Sequence, residues 1–336
     1  MTLTFEELCP LEDPDWDGAI AKFASKHLFH ERAWLRFLSR SQNARIHGTR
    51  LVGRDGGTVG YFVAGEVRKG PFRLLGSPLQ GWSTPFMGPV TDEVPDTFFG
   101  ALDVYARALG VDYLEMSNPG LPASTMRDAG YDLDADQTFL VPVGGEAEMW
   151  GRLSSECRNR IRRAMRSGLR VESVTERTFV ETYYAQLREV FARQALVPTY
   201  GIERVENLWD ALMTAGKLLA LRVTKGGETL ACGLFPFDDR ALFFWGGAAW
   251  THAYADCPNE LLHWRAMCVA AERAIPLYNM SGVGRFKAKF GGTAVTVERW
   301  YKTFTPLARL GRFAYQRYVG ARQRMLGGLH RLGIPR

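Results

Sequence analysis

The chain has 336 residues, of which 46% are hydrophobic and 12% are aromatic, and its formal net charge is +6. This composition excludes a largely disordered chain and predicts a globular protein with one large domain or two of about 150 residues each. Residues 1–147 carry 13 basic and 20 acidic side chains, residues 148–298 carry 20 and 16, and residues 299–336 carry nine and none. An acidic front half and a basic back half favour two partners, the basic part facing a polyanion or anionic surface. A tail that only keeps the protein soluble is the alternative.

Short elements alternate in the first half. Residues 44–54 and 57–67 predict two strands that are joined by a tight turn at RDGG. A helix follows over residues 96–110, with Asp96 as its N-cap and Gly110 just after its end. The sequences VDYLEM and DADQTFLVPV predict two further strands.

The second half follows a similar plan. Apolar residues recur at helical spacing from Met149 to Met165 and predict one helix, which ends at Gly168. Residues 179–191 predict a second amphipathic helix. Residues 217–250 then predict an antiparallel meander of three strands, joined by turns at KGGE and FDDR.

A helix over residues 259–273 and a short strand in PLYNM close the second half. Both halves therefore contain helices, a β-meander, a helix and a closing strand, which is the order of elements in acetyltransferase-like (GNAT) folds. We predict an α/β (α+β) fold of two tandem GNAT-like domains, each a mixed, mostly antiparallel sheet flanked by helices. The predicted limits are 1–147 for the N-terminal domain, 148–305 for the C-terminal domain and 306–336 for a basic C-terminal tail.

Five cysteines without CxxC spacing favour free thiols in a reducing compartment over disulfides or a zinc site. The N-terminus lacks an apolar signal segment, and the longest apolar run, residues 241–250, is about half the length that spans a bilayer. We therefore expect a cytoplasmic protein. Residues 13–18 begin like a calcium loop, but Ala24 stands where the bidentate Glu belongs, and His27 and His30 lack a third ligand. We expect no metal.

Motifs for common cofactors and nucleophiles are absent from the sequence. There is no GxSxG elbow, no GxxxxGK[ST] loop and no strand-bound GxGxxG. There is also no [QR]xxGx[GA] loop, whose backbone N–H groups cradle the pyrophosphate of coenzyme A at a helix start. This last absence counts against the usual binding of acetyl-CoA.

The segment from Arg152 to Val171 carries seven arginines and one glutamate. Arg158, Arg162 and Arg166 are spaced four apart and would form one basic ridge on a helix, suited to a phosphate backbone. The alternative is that the arginine stems only cover an apolar helix face. We favour a nucleic-acid role, because the tail adds arginines and aromatic residues that would lie on RNA, on a membrane surface or on the protein itself.

Four segments resemble one family, in the same order along the chain. The first three are LFHERAWLRFL, WGRLSSECRNRIRRAMRSGLRV and FARQALVPTY. The fourth is CPNELLHWRAMCVAAERAIPLYNMSGVGRFKAKFGG, which is the most specific because a helix and a strand lead to FKxxFG. Over nearly its whole length the chain resembles the Fem-like aminoacyltransferases, the non-ribosomal peptidyltransferases of the peptidoglycan-bridge type. Asn279 departs from the acidic residue that the family often has before the glycines.

The resemblance implies two GNAT-like domains and transfer of an amino acid from aminoacyl-tRNA to an amine, either a cell-wall precursor peptide or a specialised metabolite. The aminoacyl-tRNA is a co-substrate, and neither a cofactor nor a metal is implied. By motif match, Phe286 and Lys287 form the catalytic pair and Arg193 binds the acceptor. We expect Lys287 to stabilise a developing oxyanion, since an ammonium is a poor general base. We expect Phe286 to pack against the terminal adenosine.

Further residues are expected around this pair. Lys289 is expected to meet solvent or RNA phosphate. Two alternatives stay open: an acyl-CoA-dependent GNAT N-acyltransferase on the same scaffold, and a non-catalytic RNA- or membrane-binding protein that uses the basic ridge and tail. The predicted site residues besides the pair are Arg193, Tyr200, Trp245, Asn259, Gly282 and Arg285 for substrate, and Arg158, Arg162, Arg166 and Lys289 for tRNA.

Overall fold

The computed structural model of the protein describes residues 3–314. Within this range the chain forms two compact units. The first runs up to Asp136 and resumes at Val297, and the second is Gln137–Thr296. The predicted domain limits stay predictions, and residues 315–336 of the predicted tail lie outside the described range.

Helices and strands alternate along the described chain. The strands are β1 (Thr4–Leu8), β2 (Arg45–Val52), β3 (Thr58–Lys69), β4 (Phe72–Ser77), β5 (Gly88–Val90), β6 (Tyr113–Met116), β7 (Asp132–Pro142), β8 (Arg170–Ser173), β9 (Leu218–Lys225), β10 (Glu228–Pro236), β11 (Ala241–Phe243), β12 (Gly246–Ala249), β13 (Leu277–Asn279) and β14 (Thr293–Thr303). The α-helices are α1 (Trp16–Ile20), α2 (Arg32–Gln42), α3 (Phe98–Ala108), α4 (Ala123–Asp128), α5 (Glu146–Arg152), α6 (Ser155–Arg166), α7 (Phe179–Ala192), α8 (Ile202–Leu212), α9 (Pro258–Glu272) and α10 (Arg285–Ala288).

The first unit has the strand order β1-β2-β3-β4-β6-β14, with β5 paired to β3. β2 and β3 form the predicted antiparallel hairpin. Its turn contains Gly56, which has a positive φ of 80°, and the Asp55 side chain accepts a hydrogen bond from the Gly57 N–H. Glycine and aspartate supply these two features of a tight turn, which is why the hairpin was predictable.

The first unit contains a parallel pair of strands. β4 and β6 form this pair, and the chain between them contains β5 and α3. The helix begins after a turn in which the Phe98 N–H donates to the Pro95 carbonyl, so Thr97 occupies the N-cap and the prediction of Asp96 is wrong. Gly110 follows the helix end with a φ of 69°, as predicted.

Two helices, α5 and α6, replace the single helix predicted from Met149 to Met165. The backbone is extended at Leu153, and the Ser154 hydroxyl accepts a hydrogen bond of 3.1 Å from the Cys157 N–H, which caps α6. The hydrophobic periodicity of the sequence did not indicate this break. Met149 before it and Cys157 after it are buried in the same core, so the apolar spacing continues across it.

The residues predicted as the third strand of the meander form two short strands, β11 and β12, which pair with different neighbouring strands. Its second half, β12, continues an antiparallel sheet in the order β12-β10-β9-β8. Its first half, β11, pairs in parallel with β13, which pairs on its other side with β7. The Phe244 N–H donates to the Asn279 carbonyl at 2.9 Å, whereas the next N–H, of Trp245, donates to the Leu234 carbonyl at 3.0 Å. The prediction of a simple antiparallel meander is therefore wrong at this strand.

α9 carries much of the core of the second unit. Its apolar side chains are buried with those of β9, β10 and β13. Glu260 and His263 are buried among them, and buried polar groups need partners to offset their lost hydration. Across residues 3–314, no helix combines the length and apolar character that crossing a membrane requires.

Candidate active site

Two polar side chains fix the loop between β13 and α10. The Asn279 amide oxygen accepts hydrogen bonds from the Ser281 N–H and the Thr138 hydroxyl, both at 2.8 Å. The Thr138 hydroxyl oxygen accepts in turn from the Gly282 N–H at 2.9 Å. Ser281 and Gly282 have φ values of 53° and 111°, which L-residues adopt rarely. Asn279, where the family often has an acid, therefore holds the loop that leads to α10.

Lys287 lies on α10 with its ammonium beside this loop. The ammonium donates to the Ser281 carbonyl at 2.7 Å and lies 5.5 Å from the ring centroid of Phe244, where the strand divides. The side chain is half-buried, and desolvation lowers the pKa of Lys287 below its ordinary value. Because its hydrogen bond goes to a neutral carbonyl, the ammonium keeps a charge that can attract a negative charge developing on a bound substrate.

His263 of α9 packs against Phe244 and Phe286, with ring centroids 4.7 and 5.3 Å from its own. Its Nδ1 lies 2.6 Å from the Tyr278 hydroxyl. Burial and two nearby lysine charges lower the pKa of His263 to about 3, and burial raises the pKa of Tyr278 well above its ordinary value. Tyr278 therefore donates, and the imidazole is neutral with its proton on Nε2. Sequence reasoning missed His263, whose only signal is a polar residue within LLHWRAM.

Lys289 forms a buried ion pair with Glu260 of α9; their side chains are 10% and 5% exposed. Arg160 of α6 reaches the same carboxylate at 3.3 Å. The Lys289 ammonium also lies 4.3 Å from the ring centroid of Phe286. The prediction that Lys289 meets solvent is wrong, because Glu260 holds it in the interior; its role in tRNA binding stays a prediction.

Tyr200 and Trp245, both predicted to bind substrate, lie together with ring centroids 5.5 Å apart. The Tyr200 hydroxyl is 3.0 Å from that of Tyr183. A Cβ at Gly246 would overlap the Tyr183 hydroxyl, so any side chain at the start of β12 would displace that hydroxyl. Because Trp245 directly follows Phe244, the divided strand joins this aromatic pair to the surroundings of the predicted catalytic lysine.

Three other predicted substrate-binding residues are not part of these contacts. Arg193 is exposed after α7, and its guanidinium lies 5.3 Å from the ring centroid of Tyr254. Arg285 is exposed at the start of α10, and Asn259 is half-buried in the first turn of α9. Their roles in binding stay predictions.

α6 carries the predicted basic ridge. Arg158 donates to the carbonyls of Trp150 and Leu153, and so closes the end of α5. Arg162 and Arg166 are exposed, and the Arg162 guanidinium lies 5.3 Å from the ring centroid of Trp150. Two of the three predicted tRNA-binding arginines on α6 therefore present their charge to solvent, and the third holds two helices together.

The start of α9 bears on cofactor binding. Pro258 at its first position has no N–H, and Glu260 places a carboxylate in the first turn. Pro258 therefore removes one of the backbone donors that a pyrophosphate would use at this helix start, and the Glu260 carboxylate is paired with Lys289 and Arg160. Among residues 3–314, no group of three or more His, Cys, Asp or Glu side chains is arranged to hold a metal ion.

Known proteins share this architecture. Residues 153–290 match the family model Acetyltransf_6, described as an acetyltransferase (GNAT) domain. The structure of FemX superposes with a TM-score of 0.71 at 15% identity, covering 92% of this chain and 99% of FemX. L-PGS from Bacillus licheniformis gives a TM-score of 0.57 at 13% identity over 94% of this chain and 99% of its own. A tandem GNAT protein from the clavulanic acid biosynthesis pathway gives 0.55 at 10% identity over 91% and 99%.

No curated protein sequence matches the chain. The structural likenesses confirm the predicted fold of two tandem GNAT-like domains with mixed sheets flanked by helices, and they confirm the predicted resemblance to the Fem-like GNAT family. At these sequence identities the likenesses establish the fold, so the chemistry has to be argued from the side chains around Lys287.

Proposed function

We propose that this chain, a tandem GNAT-like protein with the fold of FemX, is an acyltransferase that moves an amino acid from aminoacyl-tRNA to an amine acceptor. The observation that carries the proposal is the half-buried Lys287 ammonium, held by a backbone carbonyl where the strand divides. The resemblance to the Fem-like aminoacyltransferases supports an aminoacyl donor. The acceptor is a cell-wall precursor peptide or a specialised metabolite.

In the proposed reaction, the neutral amine of the acceptor attacks the ester carbonyl carbon of the aminoacyl group. A C–N bond forms, the carbonyl oxygen becomes an oxyanion, and the C–O bond to the terminal ribose then breaks. The proton lost by the amine passes to the leaving ribose oxygen, so the products are an amide and free tRNA. Because the ester is already activated, the protein needs only to orient the amine and stabilise the oxyanion.

Lys287 supplies the positive charge for this oxyanion. The Ser281 carbonyl fixes its ammonium, and the hydrogen bonds of Asn279 and Thr138 fix Ser281. Partial burial strengthens the attraction, since a charge in a less polar medium acts on a nearby oxyanion more strongly. His263 remains neutral and supports the ring of Phe286, so it holds no proton that this step needs.

Two features favour tRNA over coenzyme A as the carrier of the acyl group. Exposed Arg162 and Arg166 lie on α6, which Arg160 ties to the helix start of α9 through Glu260. That helix begins with Pro258, so its start lacks one of the backbone N–H donors that cradle a pyrophosphate. The GNAT family match over residues 153–290 favours the second candidate, an acyl-CoA-dependent N-acyltransferase.

The test supplies the purified protein with tRNAs charged with radiolabelled amino acids and a cell extract as the source of acceptors. We expect transfer that RNase abolishes and that Lys287→Ala reduces about 100-fold, the usual effect of losing one oxyanion-stabilising group. Lys22→Ala is the matched control, because Lys22 is exposed in the first unit. RNase-resistant transfer that requires CoA esters would establish the second candidate. Absence of any transfer, with intact RNA binding, would favour a non-catalytic protein.

A further inference from the structure

A cavity of about 250 Å³ lies within the first unit. It is bounded by β4, β6 and the helical residues 306–314 that follow β14. Its walls are mostly apolar, and this size is slightly below the range of pockets for drug-sized ligands. The apolar side chains that line it are Phe72, Leu74, Leu79 and Ala308.

The carboxylate in the lining of this cavity is already neutralised. Glu115 is 4% exposed and accepts hydrogen bonds from the Tyr113 hydroxyl and the Gln80 N–H, both at 2.6 Å. Arg299 donates to the same carboxylate at 2.9 Å. A buried carboxylate with these partners has its hydrogen-bonding capacity filled and an arginine beside it, so it does not call for a cationic ligand.

The buried cation in the lining is compensated as well. Arg312 donates to the Tyr113 hydroxyl at 2.6 Å and to the Asp134 carboxylate at 3.1 Å. Its guanidinium lies 3.4 Å from the ring centroid of Tyr301. Lys69, by contrast, is an exposed lining residue that forms no ion pair with another residue of the range 3–314. The uncompensated charge of the cavity is therefore one ammonium at its rim.

We propose that this cavity binds a small carboxylate whose apolar body lies against the apolar lining and whose negative charge faces Lys69. The apolar walls favour binding of a hydrocarbon or aromatic group, because binding removes its apolar surface from water. The Lys69 ammonium at the rim favours an anion over a neutral molecule of the same shape. Glu115 and Arg312 are already paired and offer no competing charge. This site lies in the other unit from Lys287 and does not depend on the proposed transferase activity.

Calorimetric titration of the full chain with 1-naphthoate tests the proposal, with neutral 1-naphthalenemethanol as its counterpart. We expect saturable binding of 1-naphthoate at one site, with a dissociation constant below about 1 mM. Ala308→Met, which adds volume to the wall, should weaken both compounds at least about tenfold. Leu79→Met conserves volume in the same wall and should leave both affinities within about threefold.

Lys69→Gln separates charge from shape. It should weaken 1-naphthoate about threefold, as expected for an exposed ion pair, and leave the alcohol unchanged. Thermal melts identify any variant that fails to fold, and Leu74→Phe then replaces Ala308→Met as the filling variant. The proposal is overturned if neither compound binds the wild type, if filling the cavity leaves affinity unchanged, or if Lys69→Gln weakens both compounds equally.

Discussion

Replacing Lys289 by methionine tests whether this residue is a structural ion-pair partner. Methionine keeps the length of the apolar stem and leaves the Glu260 carboxylate, which is 5% exposed, without its closest cation. Breaking a buried ion pair from one side costs about 3–5 kcal/mol, because the remaining charge stays buried. Arg160 remains 3.3 Å from this carboxylate on a side chain that is 46% exposed, so we expect the lower end, about 3 kcal/mol. In a unit of about 160 residues this corresponds to a melting temperature lower by roughly 6–12 °C.

The assay is thermal and urea unfolding of matched variants. Lys225→Met is the control, because Lys225 pairs with Asp256 at 2.7 Å on side chains that are 45% and 28% exposed, and such pairs contribute about 1 kcal/mol or less. Lys289→Met combined with Glu260→Leu should recover much of the loss, since no buried charge remains unpaired. If Lys289→Met destabilises the protein no more than Lys225→Met, Lys289 faces solvent in solution and the argument fails.

Two further predictions concern the charges of the second unit. Because desolvation lowers the pKa of Lys287, its ammonium should lose its proton at a lower pH than that of an ordinary lysine. Competitive labelling with acetic anhydride, read by mass spectrometry, measures this pKa, and an ordinary lysine pKa at Lys287 would contradict the burial. Arg162→Ala with Arg166→Ala should weaken tRNA binding and reduce the slope of log affinity against log salt by roughly 0.7–0.9 for each lost phosphate contact. Arg158→Ala should instead lower the melting temperature, because it leaves carbonyls at the end of α5 without a donor. If the Arg162/Arg166 double variant and Arg158→Ala have equal salt slopes, the exposed arginines of α6 do not contact the tRNA phosphates.

Local patterns predicted those parts of the fold that are decided locally. The β2–β3 hairpin was predictable because Asp55 and Gly56 favour its turn in any context. The end of α3 was predictable because glycine adopts the positive φ found at Gly110. The division of the third strand into β11 and β12 was not predictable, because the apolar run through Phe244 and Trp245 is typical of one continuous strand. The division depends on hydrogen bonds to carbonyls far along the chain, since the Phe244 N–H donates to Asn279 and the Trp245 N–H donates to Leu234.

The candidate site shows the same limit at the level of single side chains. Lys287 and Lys289 share a charge, a helix turn and nearly the same sequence surroundings, yet one donates to a backbone carbonyl and the other is held in an ion pair by Glu260, 29 residues earlier in the chain. The family motif assigned the catalytic role to the first lysine, but it gave no reason for the second.

The geometry supplies that reason. Because Lys289 is tied to Glu260 and lies over the ring of Phe286, it anchors α10 to α9 and thereby limits where the ammonium of Lys287 can be. His263 packs against the same ring from within α9. A protonated imidazole there would face two ammonium groups, so its low pKa keeps the packing uncharged. If Lys287 acts as proposed, the second lysine and the buried histidine are the residues that orient it, and a motif that records only residue types does not make this distinction.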